Sequence, residues 1–265
     1  MKKILTFILL AISLITYSQN QKKTYFHDIG EAIKHKKDVE TIDLSRKNLT
    51  NLDTRVLEFE NLTTLILDKN LFTKIPEIVF EIKNLEHLQI NFNRIDSISK
   101  SISKLKNLKY FEFNGNRVYK IPSEIGTLEN LEWISALENN LRTLPKEISS
   151  LSKLKHLQLS FNRISKLPKE LGKLKNLKFL YLDKNVSLEN IDFLSNLVNL
   201  QEASIQNCYL KKLPDDMGNL KKLKSIDLRN NYFLSKEEKV RIKKELSNTK
   251  VILADKDLGG IMSTN

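Results

Sequence analysis

A single cysteine, Cys208, in 265 residues excludes an intramolecular disulfide framework and any paired-cysteine metal or redox motif. Only 7 glycines and 5 prolines argue against a low-complexity or disordered chain. Glycine-rich phosphate loop, nucleophile elbow and HExxH are all missing, which removes the common routes to nucleotide, acyl-transfer and zinc-protease chemistry. A bilayer-spanning run is missing too. The longest apolar stretch, Ile4 to Ile15, is broken by Thr6 and Ser13 and falls short of the ~20 residues that cross a membrane.

What is present begins with charge. A formal +12 and a pI near 9.5 permit acidic partners but say nothing about fold. The N-terminus places Lys2 and Lys3 before the apolar run and small residues in Thr16-Tyr17-Ser18. This order predicts a signal peptide over residues 1–18, cleaved before Gln19, and hence a secreted, periplasmic or cell-surface protein. Losing two lysines and no acid would leave a mature charge of +10. No cysteine lies near the cleavage point, which argues against a lipoprotein anchor.

The 40% hydrophobic content is arranged in a repeat. Leu154 to Asn176 reads LKHLQLSFNRISKLPKELGKLKN, a spacing too irregular for an amphipathic helix and too long for a strand. It suits one coil of a solenoid, which needs stacked copies to bury its apolar side. The copies start at Val39, Leu62, Leu85, Leu108, Leu131, Leu154, Leu177, Leu200 and Leu223, 23 residues apart each time.

Within a unit, period-2 alternation sends Leu157 and Leu159 inward and His156, Gln158 and Ser160 to an open face. Asn162 then marks a bend, where its amide can bond turn backbone; Asn70, Asn93, Asn116, Asn139, Asn185 and Asn231 recur there. Pro76, Pro122, Pro145, Pro168 and Pro214 fix φ at the start of the convex segment. Lys47 and Cys208 replace the asparagine in the first and eighth units, and Cys208 reads as a small buried residue with a weak S–H donor. The seventh unit lacks its Leu-Pro pair and shifts its apolar residues to Leu188 and Ile191, which predicts an irregular convex segment.

The pattern LxxLxLxxNxLxxLPxxIxxLxxL over residues 39–235 resembles the leucine-rich repeat family, in the 23-residue form of Ras-suppressor-like and secreted bacterial members. The resemblance implies an α/β fold: a right-handed solenoid with a concave parallel sheet, short helical or irregular convex segments, and helical caps. An N-terminal cap is expected over 19–38, where Asp28 and Glu31 form a capping box before Ile29, Ala32 and Ile33. Over 236–254 a C-terminal cap is expected, with Ser235 and Glu238 as its box, an apolar helix side of Val240, Ile242 and Leu246, and a strand at Val251-Ile252-Leu253. Residues 255–265 read as a disordered tail.

Function is sought on the open face. One column there reads Thr41, Thr64, His87, Tyr110, Trp133, His156, Phe179, Glu202, Ser225. Its five successive rings, His87 to Phe179, would span roughly 19 Å at ~4.8 Å per strand. With Tyr181 and Leu137 in adjacent columns, they are the candidate ligand-binding residues, for a protein or glycan ligand. Two readings stand: rings that hold a ligand, or rings that stack and stabilise the sheet. Phe92 and Phe161, preceding the ladder asparagine, read as covers of the sheet edge.

The alternative function is an envelope-associated structural protein holding acidic polymers through Lys106, Lys109, Lys155, Lys175, Lys178, Lys221 and Lys224, which flank the first core leucine. Glu86, Glu129 and Glu132 interrupt that row and no arginine joins it, which favours plain solvated lysines. Catalysis, cofactors, metals and nucleic-acid motifs find no support. His87 and His156, the concave histidines, sit three repeats apart, roughly 14 Å, too far to share a metal.

Overall fold

Among residues 24–253, which the computed structural model describes, eleven parallel strands stack in sequence order into one sheet. The expected signal peptide and tail lie outside these residues. From β2 (Thr41–Asp43) to β10 (Ser225–Asp227) each strand has three residues, and partners are 23 residues apart: Thr41 faces Thr64 and Glu202 faces Ser225. Most returns are single 3₁₀ turns such as Lys169–Lys173. Between sheet and returns runs one continuous core containing Leu154, Leu157, Leu159, Ile164, Leu167, Leu171 and Leu174 from the sixth unit. A lone strand of three residues could not bury its apolar side; stacked copies can.

The corners are held by asparagine. Asn162 Nδ2 donates to the Ala136 and Leu159 carbonyls at 2.7 and 3.0 Å, and its Oδ1 accepts the Leu141 N–H at 2.9 Å. The Asn162 amide thus ties three backbone groups from two neighbouring coils, which a buried corner would otherwise leave unpaired. The residue before it is left-handed in every unit: Arg46, Lys69, Phe92, Gly115, Glu138, Phe161, Lys184, Asn207 and Asn230 have φ between 54° and 62°.

A second asparagine row, not anticipated from the spacing, runs along the edge where strands begin. Asn61, Asn84, Asn107, Asn130, Asn176 and Asn199 each donate Nδ2 to the carbonyl 24 residues earlier, at 2.7–3.0 Å. Pro76, Pro122, Pro145 and Pro168 directly precede 3₁₀ turns with φ of −56° to −72°. In the seventh unit the convex turn shortens to Leu194–Asn196, with Leu188 and Ile191 still buried.

Both ends add strands. β1 (Tyr25–Phe26) pairs with β2, followed by α1 (Ile29–Ala32), whose first turn is capped by Asp28 accepting the Glu31 N–H. At the other end α2 (Lys236–Glu245) is capped by Ser235, and β11 (Lys250–Ile252) pairs with β10. The helix corrects one expectation. Ile242 and Leu246 are buried against the core, but Val240 is 67% exposed; beside the apolar contact, Arg241 donates to the Leu213 and Pro214 carbonyls while pairing with Glu238 and Glu245 of its own helix. No helix among the described residues is long and apolar enough to cross a membrane.

Candidate binding face

The strand register brings His87, Tyr110, Trp133, His156 and Phe179 side by side on consecutive strands. The rings do not form one even stack. His87 and Tyr110 pair at 4.2 Å between centroids, and Trp133 and His156 at 3.4 Å with planes 6° apart. His156 then tilts against Phe179 at 5.9 Å and Tyr181 at 5.4 Å. Stacked pairs of this kind contribute about 0.5–1.5 kcal/mol beyond area burial.

His156 is the hub, and it corrects the alternation rule. It is 5% exposed, covered by Trp133 and Tyr181, so it underlies the surface that those rings present. Burial holds its imidazole neutral, with a pKa pushed down to about 3, and pushes His87 down as well. Neither His156 Nδ1 nor Trp133 Nε1 finds a hydrogen-bond partner among the described residues. Tyr110, Trp133, Phe179, Tyr181 and Leu137 are half-buried. Tyr181 donates its hydroxyl to Glu202 at 3.3 Å, and burial with that carboxylate raises its pKa.

Beside the rings lies a polar ladder that the leucine spacing did not reveal. Asp68 accepts the Asn91 N–H at 2.7 Å, Asn91 that of Asn114 at 2.7 Å, and Asn114 that of Leu137 at 2.8 Å. After Leu137 it resumes, Ser160 accepting the Asp183 N–H and Asp183 the Gln206 N–H. Ser160, expected on the open face, is 2% exposed because it belongs to this ladder. Glu112 sits next to it with a pKa raised to about 7 by burial and by Asp68, against hydrogen bonds from Asn91 and Gln89. Burial also raises Asp68 and Asp183.

The strand-start lysines are unequal. Lys109 pairs with Glu86 at 2.8 Å and Lys155 with Glu132 at 2.7 Å, while Lys106 and Lys175 reach backbone carbonyls. Cys208 is 2% exposed, its Sγ 3.4 Å from the Leu182 carbonyl, and burial pushes its thiol up to about 12. Phe92 and Phe161 are 51% and 37% exposed; Lys69 and Lys184 sit over their rings at 5.6 and 4.9 Å. No group of three or more metal-ligating side chains occurs among the described residues.

A parallel sheet of three-residue strands with asparagine at seven of nine corners defines a repeat solenoid with one open sheet face. Sequence comparison gives the class its family. A profile for a leucine-rich repeat region matches residues 93–202 and 124–252, and a leucine-rich repeat profile matches 60–118; the chain belongs to the leucine-rich repeat family. Its members typically act as protein-binding modules, on a fold that is generally a non-enzymatic scaffold.

Solved structures agree on the fold. The leucine-rich repeat domain of the type III effector XopL superposes with a TM-score of 0.74 at 20% identity, covering 91% of this chain and 86% of that one. Internalin C2 of Listeria monocytogenes gives 0.61 at 19% identity over 72% of this chain and 81% of its own. Internalin InlF of the same organism gives 0.61 at 19%, over 85% and 70%. No curated protein sequence matches the chain.

Proposed function

We propose that this protein is a secreted binding module whose concave face holds a protein ligand through Tyr110, Trp133, Phe179, Tyr181 and Leu137, with His87 and His156 as supports. In this reading residues 1–18 are removed, 19–38 and 236–254 cap the repeats at 39–235, and 255–265 form a tail. One observation carries it: the half-buried rings of Trp133 and Phe179 flank the buried His156 on adjacent strands. Rigid aromatic side chains give contact area at low entropy cost, the make-up of interface hot spots. A neutral His156 keeps that centre uncharged, so an apolar partner surface meets no desolvation penalty there.

The acidic-polymer alternative draws less support, since two lysines of its row are already neutralised by Glu86 and Glu132. Capture from cell-surface extracts with the chain lacking residues 1–18, beside its Trp133→Ala/Phe179→Ala variant, tests the proposal. Loss of a protein component at fixed salt with the variant is expected. Identical capture by both, or a steep salt dependence that ignores the double substitution, sinks the concave-face reading.

A further inference from the structure

The opposite edge, where the chain leaves the strands, carries an arrangement that the concave face does not use. Four successive repeats each place one arginine there: Arg94, Arg117, Arg142 and Arg163, all exposed. Among the described residues none of the four has a carboxylate within ion-pair distance, whereas Arg55, Arg229 and Arg241 are each held by one. Asp96 and Glu138 are the exposed acids nearby in sequence, and neither pairs with the row. The backbone fixes its register, because the Arg94, Arg117 and Arg163 N–H groups bond to carbonyls 22 residues earlier at 2.8–2.9 Å. Steps of ~4.8 Å make the row roughly 14 Å long.

Cationic side chains on successive coils of one edge, Arg94, Arg117 and Arg163 in register and Arg142 two positions further along its coil, repel one another without counter-charges, so the row costs stability unless something anionic answers it. Their planar donor pairs match carboxylates in two-point contact. Beside Arg142 lies a groove of about 270 Å³ lined by Tyr119, Ile121, Thr143, Leu144 and Pro145. Its lining surface is mostly apolar, with Lys120 and Arg142 also contributing, which suits an apolar amino-acid side chain flanked by acidic ones better than sugar hydroxyls. We propose that this edge docks an acidic segment of a protein partner, with Asp and Glu side chains on the arginines and one apolar side chain in the groove. The inference shares with the proposed function only the premise of a protein partner; it does not need the aromatic column.

The test uses a short fluorescein-labelled peptide of alternating Asp and Glu with one central Leu, titrated by anisotropy with the full chain at moderate salt. The four arginines are exposed, so the quadruple Arg→Gln variant keeps its fold, as its melting curve checks; Arg117→Gln/Arg142→Gln is the milder form. Exposed ion pairs are individually weak but act together here, so the quadruple variant is expected to bind the peptide about tenfold more weakly. Tyr119→Ala should weaken it severalfold, and Trp133→Ala/Phe179→Ala should bind as the parent does. The proposal falls on any of four results: no binding of the peptide, equal binding by the quadruple variant, equal binding of a control peptide with Asn and Gln in place of Asp and Glu, or competition by polygalacturonate or oligo-dT as strong as by the peptide itself. Loss of peptide binding in the Trp133/Phe179 variant would also overturn it, by placing the peptide on the concave face.

Discussion

Trp133 and His156 lie 23 residues apart in sequence and 3.4 Å apart between ring centroids, with planes 6° from parallel. The contact exists because the strands carrying them are neighbours in register. Its effect is to seal an imidazole beneath an indole, which removes a charge from the middle of the open face.

That sealing predicts an unusual pH profile. His156 titrates near 3 when folded against an ordinary 6.5. The unfolded chain therefore binds the extra proton first, and stability falls as pH drops below about 6.5. Glu112 does the reverse: its folded value of about 7 lies above an ordinary 4.5, so the folded chain binds the proton first and stability rises as pH falls from about 7 to 4.5. Each group alone gives a slope of about 1.4 kcal/mol per pH unit inside its window. Between pH ~4.5 and ~6.5 the two slopes nearly cancel. Urea unfolding of His156→Phe should show stability growing on acidification, and that of Glu112→Gln should show it shrinking, steepened by His87. Parallel profiles for both variants would remove the burial account.

The indole itself separates packing from polarity. Trp133 Nε1 is buried without a partner among the described residues, an arrangement that costs about 1–3 kcal/mol relative to a paired donor. Trp133→Phe keeps a ring over His156 and deletes the unpaired N–H, so its unfolding free energy should stay within about 1 kcal/mol of the parent. Trp133→Ala loses the stack and should cost about 2 kcal/mol. Equal losses in both variants would mean that the N–H is satisfied after all.

The difference between what the leucine spacing revealed and what it hid has a physical origin. Positions such as Leu157 and Asn162 meet the same surroundings in every unit, so one residue type recurs and the fold is legible. The left-handed corner before the ladder asparagine holds Arg, Lys, Phe, Gly, Glu and Asn alike; backbone bonds set it, and no residue type announces it. His156 looked exposed by alternation, yet its covers come from residues 23 before and 25 after. The arginine row is not a single column of the repeat, because Arg142 sits two positions further along its unit than Arg94, Arg117 and Arg163.

The asparagine ladder and its exception give a paired test. Asn162→Ala frees the Leu141 N–H and the Ala136 and Leu159 carbonyls inside the core, which should cost about 2–4 kcal/mol of unfolding free energy. Cys208 holds the same place with a thiol pushed up to about 12. It should therefore resist Ellman's reagent in the folded chain at neutral pH and react only as the chain unfolds. Rapid labelling under native conditions would mean that the eighth corner opens.

Phe92 adopts φ +55°, where a bulky L-residue carries backbone strain of about 1–2 kcal/mol. Its ring lies across the next repeat's corner glycine: a Cβ built on Gly115 would come within 2.5 Å of it. The ring recovers part of that strain by covering Gly115 and by taking Lys69 over its face. Asn207 and Asn230 occupy the same corner in the eighth and ninth units, and asparagine tolerates the left-handed region well. Phe92→Asn should thus raise the urea midpoint slightly, by about 0.5–1 kcal/mol in unfolding free energy, with the corner geometry unchanged. A loss of 1 kcal/mol or more would show that the ring's cover outweighs the strain, and would make Phe92 a structural lid on the corner.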